Sequence, residues 1–407
     1  MKKFLILISL CLLFVSGCQK QEVFDASQYK IKCMQKDEVS CARYLFFESW
    51  QSVLRESYTT NIDNQNWDYW KERYIDKIET QEDAYVAIET MLASLDDPYT
   101  RFLTPEELAD QNMNISAQLS GIGVVISSTD GKIMIEDVIE NSPAAKNDLK
   151  IGDIIMKVDD ESISGFDIKK VADMIRGKIG TKVKLLILRD DGMIEKEITR
   201  AKINIVAVKY SMIDDNIAYI QINTFMSQAA SSEFINALQS TKAARAMIID
   251  LRGNQGGLLQ NATFIANLLL KKGVIVSIVR KGGNREFINV QPAGMHVDKP
   301  IVVLTNGFTA SAGEILAAAL QENGRALLVG EKTYGKGLIQ RIVPLPLNTA
   351  VNVTIAKYLT PQGHDINKNG IKPDYEIKLT EDEILACRHN LRFCEDSQVK
   401  KAIELLK

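Results

Sequence analysis

Near residue 115 the spacing of apolar residues changes period, and no single architecture fits both sides of the change. Upstream, CARYLFFESWQSVLRESY and DAYVAIETMLASL repeat apolar residues at three- and four-residue steps, the spacing of amphipathic helices. LDDPYTRFLTPEEL interrupts with two prolines, and Thr104-Pro105-Glu106-Glu107 reads as an N-cap with a first helical turn. Downstream, SGIGVVISS, KIMIEDVI, GDIIMKVDD and KVKLLILRDD are short β-branched runs closed by Gly, Asp or Asn, with one helix at DIKKVADMIRGKIG. From about residue 215 strand patterns (NIAYIQI, AMIIDL, PIVVL, RALLVG) alternate with helical ones, which predicts an α/β core with parallel pairing. DEILACRH and SQVKKAIELLK end the chain as helix. A chain of 407 residues exceeds one ordinary core. The expected class is multidomain α+β: a tether and helical region over 18–113, a β-rich module over 114–202, an α/β core over 203–380, and a helical C-terminal tail over 381–407.

The first residues predict a leader rather than structure. Met1-Lys2-Lys3 is a charged start, FLILISLCLLFV is too short for a permanent membrane span, and VSGC ends at Cys18. This resembles a bacterial lipobox, which implies removal of residues 1–17, lipid on Cys18, and a protein held by that anchor to a membrane of the cell envelope, facing the periplasm or the exterior. Cys33, Cys41, Cys387 and Cys394 form one close pair near each end, open to two local disulfides or two bridges between the ends. Their spacing is not that of zinc ligands, and no metal or organic cofactor is expected. With a formal net charge of −3 and no basic patch, nucleic acid is not an expected partner.

Three glycine-rich turns carry the candidate chemistry. NGFTASAGEILAAALQ follows a strand and opens a helix, presenting Ser311 where free backbone N–H groups can stabilise an oxyanion. Glu314, three residues on, also permits a plain capping box. GEKTYGKGLIQ sets Lys336 between Gly335 and Gly337, amid apolar runs. Burial among such runs favours the neutral amine, which can take a serine proton. Gln340, four residues on, would share a strand face with Lys336 and aim the amine. The competing phosphate-loop reading of Gly330–Lys336 needs Ser or Thr next and a following helix; Gly337 and the extended LIQRIVPLPL supply neither. DLRGNQGG sets Gly253, Gly256 and Gly257 between a strand and a helix, either as backbone donors for an oxyanion or as a plain tight loop. Asp365, Asn367, Asn369, Gly370 and Glu376 fit the calcium-loop expression, but PQGH before it and Pro373 inside it do not look like flanking helices.

Together DLRGNQGG, TASAGEI and GEKTYGKGLIQ resemble the carboxyl-terminal processing peptidases, or tail-specific proteases. The resemblance spans most of residues 90–380, including LDDPYTRFL and KYLTPQGHDINKNGIKPD. It implies a serine endopeptidase with Ser311 as nucleophile, Lys336 as base, Gln340 orienting the lysine, and oxyanion donors at Ala312 and Gly257, with Gly256 as the lesser choice. It also implies that the β-rich module is PDZ-like, with Gly121, Ile122, Gly123 and Val124 receiving a peptide C-terminus. In that module Asn147-Asp148 stands where the pattern commonly has Ala-Gly. The expected partners are proteins or peptides with accessible C-termini; self-association and an adaptor protein are left open. The runner-up is an inactive lipoprotein that binds C-termini as a scaffold or adaptor, which the intact Ser311, Lys336 and Gln340 disfavour.

Overall fold

The computed structural model describes residues 26–58, 61–115, 118–129, 131–204, 206–291, 297–388 and 394–407. Cys18 and the leader lie outside the described residues. The architecture is multidomain α+β, and among the described residues no helix is long and apolar enough to cross a membrane.

The core is a six-stranded sheet in the order 208–213, 217–222, 246–250, 301–305, 326–330, 375–376. The first pair is antiparallel and the remaining pairs are parallel. Every residue of Ala246–Asp250 and Ile301–Thr305 is buried, the signature of strands covered on both faces. Alternate residues serve the two faces. Met247, Ile249, Ile301 and Val303 pack under the helices Ala230–Ser240, Leu259–Leu269 and Ala312–Glu322. Ala246, Ile248, Val302 and Leu304 pack against Val399, Ala402 and Ile403 of the helix Ser397–Leu406. The expected tail is therefore one layer of the core sandwich. Its hold is also polar. Arg252 donates to Asp250 (2.7 Å), Asp396 (2.7 Å) and Gln398 (2.9 Å), all three buried.

The N-terminal helices are similarly integrated. In Glu38–Glu56 the stripe Ala42, Leu45, Phe46, Trp50 and Val53 is buried against Ala84, Ile88 and Met91 of Gln81–Ala93, and against Val351 and Val353 of the strand Thr349–Leu359. Arg101–Leu103 then pairs antiparallel with that strand, so the helical region is stitched into the second sheet of the core.

Between these parts the strands Val124–Thr129, Lys132–Val138, Ile154–Val158, Lys182–Arg189 and Gly192–Thr199 form an antiparallel sheet closed by the helix Ile168–Ile175. Asp148 takes φ 57°, so the left-handed turn survives without the usual glycine, and Arg189 holds the Asp148 carbonyl (2.6 Å) and carboxylate (3.1 Å). Both disulfides are local, Cys33–Cys41 and Cys387–Cys394, so neither joins the two ends.

Candidate active site

Three neighbouring parallel strands, 246–250, 301–305 and 326–330, end at the same sheet edge, and the loops after them are the three glycine turns. Ligand sites of open α/β sheets lie at such carboxyl ends. Parallel pairing therefore gathers motifs that are far apart in sequence.

Ser311 sits on the turn into Ala312–Glu322 with φ 54° and ψ −116°, a conformation that costs a non-glycine residue roughly 1–3 kcal/mol. Neighbours hold it there. Ala310 N–H donates to the Asn254 carbonyl (2.9 Å), Gly313 N–H to the Ala310 carbonyl (2.9 Å), and Ser311 N–H to Glu314 Oε2 (2.8 Å). Such a strand-to-helix turn thrusts a hydroxyl outward.

Glu314 does more than cap the helix. Its fully buried carboxylate accepts Thr333 Oγ1 (2.6 Å) and Gly335 N–H (2.7 Å) on Oε1, and Ser311 N–H and Lys336 N–H (2.8 Å) on Oε2. One side chain thus locks the serine turn to the lysine turn.

Lys336 is half-buried, and burial pushes its amine below the ordinary lysine range. Its Nζ lies 5.0 Å from the centre of the Tyr99 ring. The flanking glycines make room for a neighbouring loop. A Cβ on Gly337 would meet Asn367 N at 2.5 Å, and one on Gly335 would meet Gly370 N at 3.0 Å. They admit the 367–370 loop rather than the serine. Lys368 N–H donates to the Gly335 carbonyl (2.9 Å), and Tyr358 N–H to that of Gly337 (2.7 Å). The calcium-like stretch is thus a backbone buttress, and its first carboxylate, Asp365, pairs with Lys357 (2.7 Å).

Lys336 and Gln340 do not share a regular strand face. The strand starts only at Leu338, two residues past Lys336, so the lysine lies outside the two-residue alternation, and the register shift beside Gln340 places its extra residue, Ile355, on the partner strand. Among the described residues no hydrogen bond joins Lys336 Nζ to Ser311 Oγ or to Gln340, and Gln340 Nε2 is buried without a partner. Apo hydrogen bonds of this kind often tighten only on substrate binding.

At the second glycine turn, Gly256 N–H is already given to Asn254 Oδ1 (2.8 Å). Gly257 N–H and Ala312 N–H make no hydrogen bond among the described residues. A Cβ on Gly256 would lie 2.8 Å from Ser311 Cβ, and one on Gly257 2.2 Å from Met226 N, so neither position admits a side chain without a shift. Asn254, Glu314 and Tyr99 were not singled out in the sequence as site residues. Only Glu314 carries a signal there, as the residue three after Ser311.

In the β-module, Ile122 is buried and Gly123 takes φ 85° against Ser142. The carbonyls of Ile122 and Gly123 accept Ala144 N–H (2.7 Å) and Ile139 N–H (2.9 Å). The N–H groups of Ile122 and Gly123 have no partner among the described residues. Arg200 caps the nearby helix through the Ile175 (2.9 Å) and Met174 (3.0 Å) carbonyls.

A serine on a strained turn at the carboxyl edge of an α/β sheet, joined to a β-module with a free amide loop, defines a serine-type peptidase with a PDZ domain. Comparison with known proteins agrees. The model for peptidase family S41 matches residues 216–377, and a PDZ-domain model matches 134–189. The chain is 38% identical over 351 residues to the carboxy-terminal processing protease CtpA of Bacillus subtilis (strain 168), covering 84% of this chain and 75% of that protein. It is 32% identical over 363 residues to the chloroplastic C-terminal processing peptidase of Tetradesmus obliquus, covering 83% and 78%. It superposes on the solved photosystem II D1 C-terminal processing protease with a TM-score of 0.61 at 30% identity, covering 83% of this chain and 93% of that chain. The chain belongs to peptidase family S41, among the carboxyl-terminal processing proteases.

Proposed function

We propose that this peptidase cleaves protein substrates near their C-termini in the bacterial cell envelope, anchored by lipid on Cys18, with Ser311 as nucleophile and Lys336 as general base. Ser311 Oγ attacks the scissile carbonyl while its proton passes to the neutral Lys336 amine. The oxyanion is met by the N–H groups of Gly257 and Ala312. The leaving amine takes the proton from Lys336, and water then hydrolyses the acyl-enzyme. Gln340 turns its unpartnered amide toward the lysine as substrate seats. The Gly121–Val124 loop receives the substrate's terminal carboxylate on the N–H groups of Ile122 and Gly123.

What carries this reading is the Glu314 carboxylate, which fixes the backbones of Ser311 and Lys336 to one oxygen. A structural capping box has no need of the second turn. Purified Ser311→Ala and Lys336→Ala variants should each lose cleavage of an unstructured, C-terminally tailed substrate by about 10³-fold or more, with unchanged circular dichroism. Wild-type rates in Lys336→Ala would refute the base.

A further inference from the structure

LDDPYTRFL, marked in the sequence but given no role there, brings Tyr99 beside the lysine. Asp97 fastens the loop, its carboxylate accepting Tyr99 N–H (3.0 Å) and Thr100 Oγ1 (2.7 Å). The loop is then pinned to Thr349–Leu359 at two successive residues, Tyr99 and Thr100. Asn352 Nδ2 donates to the Tyr99 carbonyl (3.1 Å), and Thr354 N–H to Thr100 Oγ1 (3.0 Å). These bonds set the ring 5.0 Å from Lys336 Nζ. Among the described residues Nζ makes no hydrogen bond or ion pair, so the aromatic face is the partner the structure gives it.

We propose that Tyr99 is a positioning residue for Lys336, its ring fixing where the amine sits and attracting the ammonium form in a partly dried site. The inference rests on Lys336 being the base. The physics is a balance. An aromatic face attracts a cation, whereas burial disfavours one. The ionisable groups on the surrounding elements are Asp97 and Tyr99 from the connecting loop, Glu314 from the helix, Tyr334 from the lysine's own turn, and the Lys357–Asp365 pair. Burial, then Tyr334, Asp97 and Glu314, push the Tyr99 phenol above its ordinary value of 10.0, while burial pushes the Lys336 amine down.

The test compares Tyr99→Phe with Tyr99→Leu in the full chain. A protonated lysine accepts no proton, so kcat rises with pH through the amine's titration. Tyr99→Phe keeps the ring and should hold the midpoint, with kcat within about twofold. Tyr99→Leu keeps an apolar wall but loses the aromatic face. Its midpoint should fall by about half a pH unit, and its plateau kcat should drop about tenfold with KM unchanged. A wild-type midpoint and kcat in Tyr99→Leu, or equal losses in Tyr99→Phe, would overturn the proposal. A second measurement bypasses catalysis. In Ser311→Ala, the pH dependence of Lys336 labelling by an amine-reactive reagent, read by mass spectrometry, should move down with Tyr99→Leu and stay put with Tyr99→Phe. Cleavage surviving in Lys336→Ala would instead sink the base assignment, while leaving the labelling result to judge Tyr99.

Discussion

Ser311 and Lys336 are bound to the same atom: the backbone N–H of each donates to Oε2 of Glu314 at 2.8 Å. In Glu314→Gln one acceptor oxygen becomes an amide donor facing buried donors. Unmet buried donors cost about 1–3 kcal/mol. The expected result is a lower unfolding midpoint in urea together with a fall in kcat of ten- to a hundredfold, KM changing little.

Strain at the nucleophile makes a second prediction. The Ser311 pair of φ 54° with ψ −116° lies outside the left-handed helical region that Asp148 uses and favours glycine. Ser311→Gly and Ser311→Ala should both be inactive, yet the glycine variant should be more stable by about 1–2 kcal/mol. Equal stability in chemical denaturation would mean that the turn holds no such strain.

Asn254 tests the oxyanion loop. Fully buried, it accepts Gly256 N–H (2.8 Å) and donates to the Ile222 carbonyl (2.7 Å). Asn254→Ala orphans both groups, at about 1–3 kcal/mol. It should lower kcat while binding of a C-terminal peptide to the PDZ domain, followed by calorimetry, stays at the wild-type level.

The pH dependence follows from the lysine. Burial lowers the folded pKa of Lys336 below its ordinary 10.5. The unfolded chain therefore binds more protons between those two values, and stability rises with pH across that window. Below that window the folded protein carries the full cost of taking the amine's charge out of water. Lys336→Met should be inactive and melt higher than wild type at pH 7, with the difference shrinking as pH approaches 10.5.

Arg252 links the second glycine turn to the last helix. Burial opposes its charge, but Asp250 and Asp396 outweigh that and raise its pKa. Arg252→Met leaves two buried carboxylates unpaired, a loss of about 3–5 kcal/mol. Limited proteolysis should then cut near residue 396 well before the core is digested.

Much of this was legible from periodicity. The α/β alternation appears because parallel strands buried on both faces leave unbroken apolar runs such as PIVVL and AMIID. The three glycine turns could be found for the same reason, since each follows such a run. Long-range partners could not. Nothing local in Arg101–Leu103 shows that it pairs with Thr349–Leu359. Nor does Glu314 look different from any helix-capping glutamate until Lys336 is seen to donate to it. Gln340 shows the opposite failure: even spacing suggested a shared face, but the strand begins at Leu338, after Lys336.

The reach of Arg252 has a consequence for how damage at one face of the fold is felt at the other. Its guanidinium clasps Asp396 and Gln398 at the start of Ser397–Leu406. Peeling that helix away frees the turn that carries Gly256 and Gly257. A nick far from the serine thus reaches the pocket without touching it.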